Sequence, residues 1–254
     1  MIRLDQKINS FTVFAPQRSG TNYLQRLLSE NFLNLKCDQN VHPYVWKHEP
    51  DTDIVINKYQ RYPLKETHLH LLVTKNPYKW IESIKRRPVD VAVYRPNVRL
   101  VEGLESKYVL QADMGLQLNS TWRVDRLNIL ELVNLYNEFY RNWLSMGNKV
   151  KYWGIAKYEP LLIPEKRTEF LQSIQDTYKL TRRNTRDWII PASVTLSENW
   201  SPSVAKRKTE DYLDHSVCNV LTQEQVDVVH NHLDKNILKT MGYSLEKPTS
   251  VDNN

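Results

Sequence analysis

Arg18, Ser19, Gly20 and Thr21 place a guanidinium, two hydroxyls and a residue without a side chain at four consecutive positions. That set suits an oxyanion. The guanidinium brings a full charge and a bidentate fork, the hydroxyls donate hydrogen bonds, and glycine lets backbone N–H groups approach closely. A phosphate or a sulfate is the ligand such chemistry would hold. Lys75-Asn76-Pro77, with Ser83 downstream, is a second group of similar character. His68 and His70 alternate along an apolar run and His230 and His232 stand two apart, with no third and fourth ligand evident, so all four read as structural and no metal is expected. Cys37 and Cys218 form no Cys-x-x-Cys and no framework of bridges, which predicts free thiols.

The elements that must position these groups follow from periodicity. Phe11-Thr12-Val13-Phe14-Ala15 is aromatic and β-branched and stops at Pro16, as a buried strand does at a loop. From Thr21 onward Tyr23, Leu24, Leu27, Leu28 and Phe32 recur at helical intervals, which leaves Asn22, Gln25, Arg26 and Ser29 toward solvent. The first anion-type group therefore occupies a strand-to-helix turn. The second does too: a strand over His68–Thr74 is followed by Asn76 as cap, Pro77 in the first turn and a helix through Arg86.

Downstream, an irregular excursion over about residues 87–125 is broken by Pro88, Pro96, Gly103 and Gly115. A long helix is predicted over Arg126–Met146, ended by Gly147. A strand over Lys149–Ala156 and a helix over Glu165–Asp176 come next. Last is a helix over Leu221–Met241, opened by Thr222 and Gln225 as a near capping box and closed by Gly242. Strands alternating with helices predict an α/β fold, a parallel β-sheet flanked by helices, in one domain spanning 1–254 with a flexible tail over about 246–254.

In a parallel sheet the loops at the carboxyl ends of the strands face the ligand crevice, and the first turn of the following helix presents unpaired N–H groups and a positive dipole end. The bland alternative is that Ser19-Gly20 is a simple turn and Arg18 a solvated charge. The turn lacks the first glycine and the lysine of G-x-x-x-x-G-K-[ST]. The second strand ends in Lys75, where a magnesium-dependent phosphoryl transferase would place an aspartate.

With these features the sequence resembles the sulfotransferases that use 3′-phosphoadenosine 5′-phosphosulfate. Pro16, Arg18, Ser19, Gly20, Thr21, Tyr23 and Leu24 match their phosphosulfate loop, and Lys75-Asn76-Pro77 with Ser83 matches their Arg-Asn-Pro…Ser signature. Tyr158-Glu159-Pro160-Leu161-Leu162 is similar to a Tyr-Glu-Asp-Leu-Leu stretch, and Leu238–Tyr243 to a closing Leu-Gly-Tyr. The four segments lie in family order.

The resemblance implies a P-loop NTPase-like architecture and a donor held with its 5′ side on Arg18, Ser19, Gly20, Thr21, Asn22 and Tyr23. Its 3′-phosphate would lie on Lys75 and Ser83, with Lys75 in place of an arginine and so without the planar fork. It implies further that Tyr23 stacks on adenine, the other reading being that Tyr23 belongs to the packed helix face. Val45–Pro50 resembles the family's Lys-x-His element with the spacer absent, which gives His48 as general base, with Glu49 as the alternative, and Lys47 and Arg18 as cations on the leaving oxygen. Lys206 and Arg207, followed by Lys208, stand where the cytosolic branch carries a donor-binding Arg-Lys-Gly loop, or else form an exposed basic run. The acceptor would be a small molecule or a glycan, placed against the excursion that carries Tyr94, Tyr108 and Trp122. The released product would be adenosine 3′,5′-bisphosphate.

Composition is compatible with this and with its rivals. The chain has 254 residues, 41% hydrophobic and 25% charged, with a net charge of +6 that favours an anionic ligand without identifying it. No apolar stretch suits a signal peptide or a membrane span, so a soluble cytoplasmic protein without membrane partners is expected. One rival reading is a P-loop kinase using ATP and magnesium. The other is a non-catalytic nucleic-acid-binding domain using Lys85-Arg86-Arg87 and Lys206-Arg207-Lys208, disfavoured because no recognition helix or aromatic RNA motif accompanies the charge.

Overall fold

Two fully buried strands, β1 (Ser10–Phe14) and β3 (His68–Thr74), lie parallel in the register Ser10↔His68 to Phe14↔Leu72. A short β2 (Lys36–Cys37) pairs with the start of β1, and β4 (Tyr152–Lys157) pairs with β3, which gives a parallel sheet in the order β2-β1-β3-β4. The computed structural model describes residues 8–37, 48, 52, 67–86, 128–191 and 209–251. The α/β class and the parallel sheet between helices are as the periodicity predicts.

Strand alternation divides the core. Phe11, Val13, Leu69, Leu71 and Val73 face one side, where α1 (Thr21–Asn31) and α4 (Pro164–Tyr178) cover them. Phe14 and Leu72 face the other, under α2 (Pro77–Arg86), α3 (Ile129–Leu144), α6 (Gln223–His232) and α7 (Lys235–Thr240). His68 and His70 are buried; His68 Nδ1 and Nε2 meet the Ser10 and Thr12 hydroxyls at 2.9 and 3.0 Å, which lets imidazole sit in a central strand.

The structure departs from the expected elements in several places. Gln25 is buried, not solvent-facing, because α1 is enclosed beyond its apolar stripe: seven of its eleven residues are buried. The helix expected over Arg126–Met146 starts later, where Asn128 and Glu131 form a capping box, and ends in a 3₁₀ turn, Ser145–Asn148. The helix expected over Leu221–Met241 is two. At the break, Asn137 of α3 donates to His232 O and accepts from Asp234 N at 2.8 and 3.0 Å, while the Asp234 carboxylate caps α7. Those bonds satisfy the backbone that a continuous helix would have paired internally.

After α5 (Thr209–Leu213), β5 (Val217–Cys218) pairs in parallel with β6 (Thr249–Ser250), inside the span expected as a tail, and the Val251 N–H donates to Cys218 O at 2.9 Å. Among the described residues no helix is long and apolar enough to cross a membrane.

Candidate functional site

The β1–α1 turn is built from backbone conformations that a chain seldom adopts. Arg18 has φ +65° and Gly20, the N-cap of α1, has φ +88°. No side-chain hydrogen bond caps this helix and no acidic residue stands in its first turn, so its own residues leave the positive dipole end uncompensated. Ser19 and Thr21 are buried, Arg18 and Asn22 half-buried. Gly20 has a role beyond clearing space for an oxyanion. A Cβ there would meet Tyr158 Cδ2 at 2.2 Å, so the loop backbone rests on the Tyr158 ring.

The β3–α2 turn stands beside it. As the sequence predicts, Asn76 caps the helix, its Oδ1 accepting from the N–H groups of Tyr78 and Lys79 at 3.1 and 3.2 Å, with Pro77 in the first turn. Lys75 is 2% exposed, and its Nζ donates to Arg18 O and to Ser83 Oγ, both at 2.8 Å. Trp80 Nε1 donates to Gln17 O at 2.7 Å. The two turns are thus joined directly, by Lys75 and by Trp80. Tyr136 and Tyr140, one helical turn apart on α3, donate to Lys75 O and Val73 O at 2.6 and 3.0 Å, and burial pushes both phenols upward so that they stay protonated donors.

The remaining two segments that carry the family resemblance converge on the same turn. Tyr158 N donates to Thr74 O at 2.8 Å. Glu159, 3% exposed, accepts from Asn76 N at 2.7 Å and from the Tyr243 hydroxyl at 2.8 Å. Burial first, and then the Glu159 carboxylate, hold the Tyr243 phenol well above its ordinary value. A further segment arrives from the C-terminal part of the chain. Lys79 Nζ donates to Val217 O at 2.6 Å, and Glu82 Oε1 accepts from the N–H groups of Asn219 and Val220. This holds the segment that carries Tyr212, whose ring centroid is 4.9 Å from Lys75 Nζ and 5.7 Å from that of Tyr158.

Of the other predicted site residues, His48 is brought to the turn: it is buried, with Nδ1 2.5 Å from the carbonyl of Ala15 at the end of β1. Donation from Nδ1–H to that carbonyl puts the imidazole lone pair on Nε2. Tyr23, on the buried face of α1, is 7% exposed and packs in the core, its hydroxyl accepting from Arg167 at 3.0 Å. Lys47, Glu49, Lys206, Arg207, Lys208 and the aromatic residues of the excursion lie outside the described residues. His68 and His70 are held low, to about 2 and about 4, chiefly by burial, and stay neutral within the sheet.

Sequence reasoning missed Trp80, Lys79, Glu82 and Tyr212. Each contacts a partner more than sixty positions away or across an element, and no local spacing marks it. Comparison of the chain with protein-family models, with curated proteins and with solved structures gives no match.

Proposed function

We propose that the protein is a sulfotransferase that takes the sulfuryl group of 3′-phosphoadenosine 5′-phosphosulfate. The observation that carries this reading is the single ammonium of Lys75 reaching both Arg18 O and Ser83 Oγ. Two cationic strand-to-helix turns at the carboxyl ends of neighbouring central strands suit a donor with anionic groups on both its 5′ and 3′ sides. The 5′ side belongs on the Arg18–Thr21 turn, at the uncapped start of α1. The 3′-phosphate belongs on the β3–α2 turn beside Ser83. Tyr158 and Tyr212 border that turn with aromatic faces, on which a purine stacks without being read.

In the transfer the acceptor oxygen or nitrogen attacks sulfur in line, and the new bond to sulfur forms as the bond from sulfur to the bridging oxygen breaks. The acceptor's proton passes to His48 Nε2. The electron pair stays on the 5′-phosphate oxygen, where Arg18 and Lys47 offset the growing charge. No step calls for a metal.

Calorimetric titration of the purified protein in chelator, with adenosine 3′,5′-bisphosphate, 5′-AMP and magnesium–ATP in parallel, tests the donor class. Bisphosphate is expected to bind tightest and without magnesium. Binding of magnesium–ATP in preference to bisphosphate would instead identify a phosphoryl transferase.

A further inference from the structure

Resting on the donor reading above, we propose that Lys75 is a positioning residue for the 5′-phosphate loop and does not itself grip the 3′-phosphate. This departs from the direct-contact role that the resemblance gives the residue at that position.

The polar partners of Lys75 lie within the protein. Its Nζ donates to Arg18 O and to Ser83 Oγ, each at 2.8 Å. Ser83 in turn donates its only proton to Lys79 O at 2.7 Å, so the chain of donors runs from the ammonium through Ser83 into the first turns of α2, away from Arg18. The rings of Tyr158 and Tyr212, with centroids 5.2 and 4.9 Å from Nζ, flank the ammonium, and the residue is 2% exposed. Two of the three ammonium protons are spent inside the protein, and burial of the residue keeps a phosphate from the third unless its surroundings move.

The link to Arg18 has a geometric consequence. A carbonyl and the following N–H share one peptide plane and point in opposite directions, so anchoring Arg18 O fixes the direction of Ser19 N–H. Arg18 has φ +65°, a conformation that a non-glycine residue keeps only when its surroundings impose it. Lys75 imposes it from below while Tyr158 packs against Gly20. The same geometry accounts for lysine here. Two single-point acceptors on different elements suit the diverging protons of an ammonium, whereas the planar fork of arginine suits two oxygens of one anion.

The test compares wild type, Lys75→Met and Lys75→Arg in calorimetric binding of 5′-AMP, 3′-AMP and adenosine 3′,5′-bisphosphate, with thermal unfolding as the control for folding. Both variants are expected to weaken 5′-AMP and bisphosphate together, by about tenfold to a hundredfold, the worth of one charge-assisted hydrogen bond, and to leave 3′-AMP unchanged. The reverse pattern, with 3′-AMP weakened and 5′-AMP intact, would make Lys75 a direct 3′-phosphate ligand and overturn the proposal. Equal loss for all three ligands, or failure of both variants to fold, would make Lys75 a general core residue and overturn it too. Absence of binding by wild type to any of the three would remove the donor reading itself, a result told apart from the others before any variant is made.

Discussion

The ring of Tyr158 occupies the space of the missing Gly20 side chain: a Cβ on Gly20 would lie 2.2 Å from Tyr158 Cδ2 and 2.3 Å from Cε2. The contact joins the anion-type turn after β1 to the segment after β4, two places separated by most of the chain. It couples loop shape to an aromatic side chain that also borders Lys75.

Gly20→Ala should therefore be severe. The left-handed conformation costs a non-glycine residue roughly 1–2 kcal/mol, and the clash with Tyr158 adds to it. Thermal unfolding is expected to show the loss, and donor binding to fall with it. Combining the change with Tyr158→Ala relieves the clash but not the φ of +88°, so stability recovers only in part. Full recovery in the double variant would show that the ring alone dictates the glycine.

Tyr243→Phe removes one donor from Glu159 and leaves a buried carboxylate oxygen short of a partner. The expected cost is about 1–3 kcal/mol in chemical denaturation. Because Glu159 also receives Asn76 N, the change should reach the second turn and weaken adenosine 3′,5′-bisphosphate as well. Unchanged stability would mean that this oxygen is satisfied by solvent.

His48→Asn is expected to keep nucleotide binding and lose transfer by about a hundredfold to ten-thousandfold, the usual share of a general base. Asparagine can still donate to Ala15 O, so the backbone link survives while the basic nitrogen does not. Retained turnover, measured with labelled donor, would remove His48 from the chemistry.

The pH dependence of stability follows from His68 and His70. Their folded values lie near 2 and near 4, below the ordinary 6.5, so the unfolded chain binds protons that the native one refuses. Their contribution is present above pH 6.5 and is lost as pH falls below it, at up to about 1.4 kcal/mol per pH unit for each histidine. His70→Asn should shallow the decline between pH 6 and 4.5 in denaturant titrations; an unchanged slope would assign it to other groups.

The sequence made the local parts of the site legible. Pro16 ends β1, Gly20 opens α1, and Asn76-Pro77 starts α2, each because a short-range backbone rule acts on adjacent residues. What joins those parts was not legible. Glu159 and Asn76 are 83 positions apart and Tyr243 and Glu159 are 84, and no periodicity relates them. The break at Leu233–Asp234 was hidden for a similar reason: Leu233 and Ile237 keep the helical spacing, and only Asn137 of another helix satisfies the interrupted backbone. The paired segments Lys36–Cys37, Val217–Cys218 and Thr249–Ser250 are two residues each, too short to show alternation.

The central claim is that one ligand bridges the turns after β1 and β3. A crystal structure with adenosine 3′,5′-bisphosphate measures this most directly. The account predicts the 5′-phosphate within hydrogen-bond distance of the backbone N–H groups at the start of α1 and the 3′-phosphate beside Ser83. A nucleotide bound elsewhere, or with both phosphates on one turn, would contradict it.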